Sequence, residues 1–588
     1  MLRTAVPIFA LMGVVGLVAS MVINQRLQPV VAVLDQTEPA VDPVTGKPKG
    51  KLVVLVVFDQ MRGDYLAKWA EHYGPGGFER LKKEGVWYSD VQIPYACTST
   101  GPGHASLATG APPSVTGIIE NEWWDRVAAK RVYCCEPKTR PFTLVPPLPV
   151  DTGKAGRGAD TGFSPERLLA ETVGDKLKAS TGVKGRVVSL SIKDRTAVLM
   201  GGQHPDAAYC FDTRDGIFHT GTFYREQAHP WAGEFNGAKP ADKWFEQKWE
   251  RFRPELDYAK ITGNPDDAPG EGFGFNGQGQ VFPHVFKGKL QAPAKGYYEA
   301  VECSPAGNEL LLEFVKKAVV AEKLGQGETA DLLCVSFSSN DLIGHIYGPD
   351  SWEVLDITLR ADKVVADFLT FLDTTVGKDR YTLVMSADHG VCPLPEQKKF
   401  PDAKRLPVTE VYKALKDSLD ETYGDALPTQ WFETNDPKDL DRVWPWVYLN
   451  HTAIKARGLT PEAVADAARD SLIKLPYIET AFTRKQLETE SFPADSFGAK
   501  AKLAYHPERC GDVIAIPKPG VLITGYANGT NHGTPQPYDS HVPVLAIGAG
   551  IPALGRQTEK KSSLIVAPTL ARGLGIPSPK DAVEKPPF

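Results

Sequence analysis

The sequence contains no C-x-x-C pair, no Walker A loop, no G-x-G-x-x-G fingerprint and no G-x-S-x-G elbow. Their absence argues against a zinc knuckle, a P-loop nucleotidase, a dinucleotide-binding domain and the usual serine-hydrolase nucleophile. Internal repeats and low-complexity tracts are missing as well. Nor is there an excess of positive charge. The formal net charge is −6, whereas a nucleic-acid binder is usually basic, so no nucleic-acid partner is expected. A mildly acidic chain can still take an anionic substrate where a metal or an arginine cluster reverses the local field.

What remains is a globular composition, 42% hydrophobic and 23% charged over 588 residues, with room for one large domain or several smaller ones. Arg3 precedes nineteen uncharged residues, Ala5 to Ile23. That length borders on a membrane span and also fits a signal peptide, with Val18 and Ser20 placed for cleavage after Ser20. Residues 1–23 are therefore expected to be a signal peptide or an anchor, and the bulk of the chain to be periplasmic or secreted. Membrane contact is expected only if the segment stays uncleaved. Residues 24–50 hold four prolines and little periodicity, as a linker does. The eight cysteines, Cys97, Cys134, Cys135, Cys210, Cys303, Cys334, Cys392 and Cys510, permit disulfides in an exported chain without fixing their connectivity. Cys334 lies in a strand-like apolar run and reads as a buried free thiol.

Apolar β-branched runs alternate with helical periodicity. Lys51–Phe58, Val187–Ser191, Asp331–Phe337, Tyr381–Ser386 and Val542–Ile547 read as strands. Helices are expected from Ser164 to about Ser180, over Asn308–Leu324 and Trp352–Val376, from Thr460, and over Leu564–Leu574. The alternation predicts an α/β fold with a mostly parallel central sheet flanked by helices. Two stretches break it, at about 203–298 and 396–510, and read as insertions over the active site. The first is rich in Gly, Pro and aromatics and is expected to have little regular structure. The core is expected to resume at Asp512–Ile516 and Val521–Thr524.

The stretch Tyr95–Gly110, Y-A-C-T-S-T-G-P-G-H-A-S-L-A-T-G, reads as a turn entering a helix. Pro102 suits a first helical position, and Gly101 and Gly103 let the backbone approach a neighbour closely. A helix N-terminus holds oxyanions, so the Thr100 hydroxyl is either a nucleophile there or only a helix cap. Asp59 ends the first strand, where α/β sheets bind ligands. Asp341 and His345 would share a helix face. Asp388 and His389 follow another strand end, and His532 sits in N-H-G. Lys193 and Arg195, if extended, point to one side and suit a doubly charged oxyanion. Three carboxylates and three imidazoles on one sheet edge suit zinc better than magnesium or calcium. Six ligands suit two ions, which at a spacing of roughly 3.5–4 Å stabilise both oxygens of an in-line displacement.

This ordered set resembles the alkaline phosphatase superfamily. Within it, the chain is similar to the exported bacterial PafA-type alkaline phosphatases, which use Thr where others use Ser on a type I phosphodiesterase/nucleotide pyrophosphatase-like core. The matching stretches are V-F-D-Q-M-R at Asp59, T-G-P-G-H-A-S at Thr100, N-E at Asn121, I-K-D-R at Lys193, S-S-N-D-L-I-G-H at Asp341, S-A-D-H-G at Asp388 and N-H-G-T-P at His532. The resemblance covers about 51–200, 300–395 and 510–580 within a catalytic domain of 51–588. It implies hydrolysis of small-molecule phosphate monoesters by a monomer with two zinc ions per chain, through a phosphothreonine at Thr100. Asp341, His345 and His532 would bind one zinc. Asp59, Asp388 and His389 would bind the other, which Thr100 also contacts. Asn121, Lys193 and Arg195 would hold the phosphoryl oxygens. His541, nine residues after His532, is the alternative ligand, but Gly533 after His532 matches the family pattern. His104 reads as structural. A phosphodiesterase of the same superfamily is the alternative activity. A sulfatase lacks support, since Cys97-Thr98-Ser99-Thr100 has neither the Pro nor the Arg of the formylglycine motif. An inactive binding protein would lack a ligand or the nucleophile, and none is missing.

Overall fold

In the computed structural model, residues 50–149 and 161–588 are described. The expected signal segment, 1–23, and all of the expected linker, 24–50, except Gly50 lie outside them. Eight strands form the body of one large sheet: β1 (Leu52–Phe58), β2 (Val86–Gln92), β3 (Val187–Ser191), β4 (Ala207–Asp212), β5 (Ile217–Gly221), β6 (Asp331–Phe337), β7 (Tyr381–Ser386) and β8 (His541–Gly548). Their order across the sheet is β2-β8-β7-β1-β6-β3-β4-β5, with short strands at both edges. β1 pairs in parallel with both β6 and β7, and β3 is parallel to both β6 and β4. β8 runs antiparallel to β7 and β2. β1 is buried at all seven positions, which is why its pattern is a continuous apolar run rather than an alternation.

Register places the site. Ser191, Ser336, Val57 and Ser386 lie in one row across β3, β6, β1 and β7. The chain leaves all four strands just past that row, so Lys193, Asp341, Asp59 and Asp388 emerge side by side. Helices α1 (Thr100–Thr109), α2 (Asp194–Gly201), α3 (Ser339–Tyr347) and α4 (Trp352–Leu372) flank this sheet.

The structure corrects several expectations. The helix expected from Ser164 begins only at Val173, where Thr172 and Asp175 form a capping box. That pair satisfies two backbone N–H groups at once, which Ser164-Pro165 does not. Residues 207–221 are not insertion but β4 and β5 of the main sheet; their apolar run gains its partner from β3. Val513–Pro517 and Val521–Ile523 are not core strands. The first pairs with Trp446–Val447 and Ile478–Thr483, the second with Lys404–Leu406. Residues 404–523 thus carry a small mixed lobe with its own apolar core, including Val411, Leu415, Trp431, Val464, Leu472 and Val513. A buried apolar run reveals a strand but not which sheet it joins. The helix at Thr460 is found over Pro461–Lys474, capped by the Thr460 side chain. All eight cysteines are buried, Cys334 among them as a free thiol.

Candidate active site

Thr100 is the first residue of α1, and Ser99 rather than Thr100 occupies the cap position. Pro102 is therefore two residues inside the helix, not at its start. The whole helix is buried, so the positive end of its dipole acts in a region largely shielded from water. Of its first-turn N–H groups, Gly101 donates to Asn121 Oδ1 at 2.7 Å and Gly103 to the Ser99 carbonyl at 2.9 Å. Thr100 Oγ1 lies 3.3 Å from His389 Nε2 and accepts from Arg195 Nη2 at 3.4 Å. Gly103 is needed for proximity: a Cβ there would sit 2.5 Å from the Asp388 carbonyl oxygen.

Asp341 and His345 do share a face of α3, with His345 Nε2 3.2 Å from Asp341 Oδ1. His532 brings its Nε2 to 3.6 Å from the same oxygen. His541 instead places its Nε2 2.9 Å from the Ser89 carbonyl, away from this group. His389 Nε2 lies 3.2 Å from Asp388 Oδ2 and 3.6 Å from Asp59 Oδ1. Lys193 and Arg195 reach the site by a different geometry from the extended one expected. Lys193 caps α2 and Arg195 sits in its first turn. The Lys193 ammonium donates to Asp59 Oδ2 at 2.8 Å and to Asp341 Oδ2 at 2.5 Å.

These residues fit metal ions. The donor atoms of Asp341, His345 and His532 all lie within 4.8 Å of one another, and so do those of Asp59, Asp341 and His389. Each of the three histidines has Nδ1 against a backbone carbonyl: Thr530 for His345, Thr98 for His532 and Gly390 for His389, at 2.8, 2.8 and 2.9 Å. A carbonyl can only accept, so Nδ1 carries the proton and Nε2 presents its lone pair to the centre. Asp59 Oδ1 and Asp388 Oδ2 are buried without a hydrogen bond, which is costly for carboxylate oxygens unless a cation meets them. The electrostatics agree. Burial and the neighbouring Asp388 push Asp59 up to about 6. Burial alone would lower His389, but Asp388 and Asp59 outweigh it and lift it to about 9. A cation drawn to this negative field competes with those protons.

Three residues at the site carry no sequence signal of their own. Gln60 takes a left-handed backbone (φ 70°) and donates from Nε2 to Asp341 Oδ1 at 2.6 Å and from its backbone N–H to Asp388 Oδ1 at 3.1 Å. A Cβ on Gly344 would fall 1.8 Å from the Gln60 side-chain oxygen, which explains the glycine in D-L-I-G-H. His104, expected to be structural, has Nδ1 3.1 Å from Asp388 Oδ2 and Nε2 2.8 Å from Ser336 Oγ. Glu120 is buried beside the site, and burial pushes its carboxyl up to about 7.

The site opens into a cavity of about 260 Å³ bordered by Thr100, Asn121, Arg195, His345 and His532. Its outer wall includes Asp441, Arg442 and Trp444 from the small lobe, and Tyr526. Among the described residues that line it, none comes from 203–298. Residues 210–214 border a second cavity with Lys193 and Arg195, and the rest of the first insertion lines neither. It packs against α3 and α4 instead, as with Gly272 N–H donating to Ile346 O at 2.8 Å and Trp249 Nε1 to Asp356 at 2.8 Å.

A hydroxyl at a buried helix start, between two carboxylate–imidazole donor groups on the edge of a parallel sheet, defines a hydrolase of the alkaline phosphatase superfamily. The chain belongs to the type I phosphodiesterase / nucleotide pyrophosphatase family, whose profile matches residues 53–541. Alkaline phosphatase PhoV of Synechococcus elongatus is 35% identical over 561 residues, 94% of each chain. Alkaline phosphatase PafA of Elizabethkingia meningoseptica is 31% identical, covering 92% of this chain and 94% of its own. The crystal structure of wild-type PafA superimposes with a TM-score of 0.81 at 30% identity, over 92% of this chain and 98% of that one. A PafA variant altered at one threonine, one asparagine, one lysine and one arginine superimposes equally.

Proposed function

We propose that this protein is a zinc-dependent alkaline phosphatase that hydrolyses phosphate monoesters through a phosphothreonine at Thr100, acting as an exported monomer in the periplasm or outside the cell. The observation that carries this reading is the Thr100 hydroxyl at the start of α1, 3.3 Å from His389 Nε2 and 3.4 Å from Arg195 Nη2. The relatives named above are alkaline phosphatases over nearly the whole chain, and one of them was altered at the same four residue types as Thr100, Asn121, Lys193 and Arg195.

Asp341, His345 and His532 would hold one zinc, and Asp59, Asp388 and His389 the other, with Thr100 beside it. Two such ions supply Lewis acidity at the attacking and leaving oxygens and favour the ionised hydroxyl. The chain's own residues do the rest. The α1 N-terminus and Asn121 orient the phosphoryl group over Thr100. Arg195, on the cavity wall, meets the nonbridging oxygens, and Lys193 adds positive charge at the floor. Thr100 Oγ1 attacks phosphorus, the ester oxygen leaves, and water then displaces Thr100 to release phosphate. Catalysis of this kind is mainly positioning and charge stabilisation. A monoester dianion needs both cations, whereas a diester presents one negative charge fewer. Arg195 and Lys193 thus support the monoesterase over the diesterase common to the wider family.

The test is a paired assay of the zinc-loaded chain on p-nitrophenyl phosphate and bis-p-nitrophenyl phosphate, with Thr100→Ala as control. Preference for the monoester, lost in the variant, supports the reading. Preference for the diester replaces it.

A further inference from the structure

His104 stands one turn into α1, four residues after Thr100, and is fully buried. Its ring meets three parts of the site. Nδ1 lies 2.9 Å from the Thr100 carbonyl, and Nε2 lies 2.8 Å from Ser336 Oγ on β6. Nδ1 is also 3.1 Å from Oδ2 of Asp388, which follows β7. The Thr100 carbonyl can only accept, so Nδ1 carries the proton. Nε2 then accepts from the Ser336 hydroxyl.

The donor atoms of Asp59, His104 and Asp388 lie within 4.8 Å of one another, close enough for His104 to be a metal ligand. Its hydrogen bonds argue otherwise. A protonated Nδ1 has no lone pair to give, and Ser336 takes that of Nε2. In His345, His389 and His532 a carbonyl also holds the Nδ1 proton, but Nε2 stays beside a carboxylate of the centre.

The contact with Asp388 has a different meaning. Asp388 Oδ1 accepts two backbone N–H groups, from Gln60 and His389, both at 3.1 Å. Those donors fix one oxygen. Oδ2 makes no hydrogen bond and is left for a cation. The His104 ring, pinned at both ends, stands against that oxygen and limits its swing. The same ring holds the first residue of α1, at the end of a helix where fraying begins.

We propose that His104 is a positioning residue: it ties the Thr100 carbonyl to β6 and stands against Asp388 Oδ2, so that the nucleophile and the metal-binding carboxylate keep a fixed spacing. This rests on the roles given to Thr100 and Asp388 under the proposed function. His104 does not border the cavity and acts only through those two residues.

Zinc affinity, by competition with a chelator, and the kinetics of p-nitrophenyl phosphate hydrolysis are measured on the full chain as wild type, His104→Ala, His104→Asn and Ser336→Ala. Losing an outer hydrogen-bonding partner weakens metal affinity or activity by roughly 10–100-fold. His104→Ala should show a loss of that size in zinc affinity and in kcat at saturating zinc, with KM little changed. His104→Asn puts an amide N–H where Nδ1–H stands and should recover most of both. Ser336→Ala keeps the imidazole but frees its far end, and should lose kcat in the same sense by a smaller factor. A histidine that only fills space would shift the melting temperature without this split between kcat and KM. Wild-type zinc affinity and kcat in His104→Ala overturn the proposal, as does a His104→Asn no better than His104→Ala. If His104→Ala does not fold, Ser336→Ala decides, and unchanged zinc affinity and kcat there overturn it. Wild-type protein that binds no zinc and forms no phosphate adduct at Thr100 overturns the proposed function itself, and this role of His104 with it.

Discussion

Lys193 Nζ lies 2.5 Å from Asp341 Oδ2, and its second bond, to Asp59 at 2.8 Å, links the two donor groups that strand register brings together. The ammonium is buried, and although burial alone would lower it, Asp341 and Asp59 outweigh that and hold it charged. Lys193→Ala should therefore lower kcat/KM for a monoester by roughly 10²–10³, the scale of losing one preorganised donor to transition-state charge. The loss should be smaller for a diester. Kinetics on the two p-nitrophenyl substrates, with zinc content measured alongside, check this; equal losses on both would remove Lys193 from dianion recognition.

Thr100→Ala should cut turnover by roughly 10⁴-fold or more, the scale seen when a hydrolase loses its nucleophile. Thr100→Ser keeps the hydroxyl at the helix start and should retain activity. Acid quenching during turnover should leave a phosphate adduct on the peptide that contains Thr100, and mass spectrometry reads it directly. An adduct on Ser99 instead would move the nucleophile to the cap position.

Gly103→Ala tests why the motif needs its second glycine. The added methyl would meet the carbonyl and Cβ of Asp388 at 2.5 and 2.6 Å, both too close to stand. Overpacking of this kind costs about 1–3 kcal/mol. Here it should also displace Asp388, a proposed metal ligand, so metal content should fall below that of wild type as stability drops. Calorimetry and metal analysis of the purified variant measure both.

Most of the candidate site was legible because its residues follow strands, and strands announce themselves. Asp59, Asp341 and Asp388 each come one to four residues past a buried apolar run, and parallel register does the rest. Gln60 was not legible: its role rests on a left-handed backbone and on the space left by Gly344, neither visible in one sequence. His104 was read as structural; it bonds the Thr100 carbonyl and Ser336 Oγ, and its 3.1 Å approach to Asp388 Oδ2 is a tertiary contact that helix position alone does not show. The lobe boundary was misplaced for a related reason. V-I-A-I-P at Val513–Pro517 has the apolarity of a core strand, but its partners are Trp446–Val447 and Ile478–Thr483, fixed by pairing across long separations.

The junction of α3 and α4 offers a test of stability against pH. Asp350 accepts from Lys68 and Lys399 at 2.5 Å each. Burial alone would raise its carboxyl, but Lys68, Lys399 and Arg62 outweigh it and hold it at about 2, against an ordinary 3.8. A carboxyl whose folded value is depressed adds stability above its unfolded value and loses it as pH falls through the folded one. The difference corresponds to about 2–3 kcal/mol at most, reduced in practice because the two lysines are 30% and 37% exposed. Asp350→Asn should therefore be less stable than wild type by a constant margin at pH 7 and pH 5. The pH-dependent part of that margin should shrink by roughly half near pH 3. Any metal loss in acid would affect both proteins alike and cancel in the comparison. Denaturant melts at the three pH values measure it, and a margin that grows toward pH 3 would mean that Asp350 is not the paired anion described here.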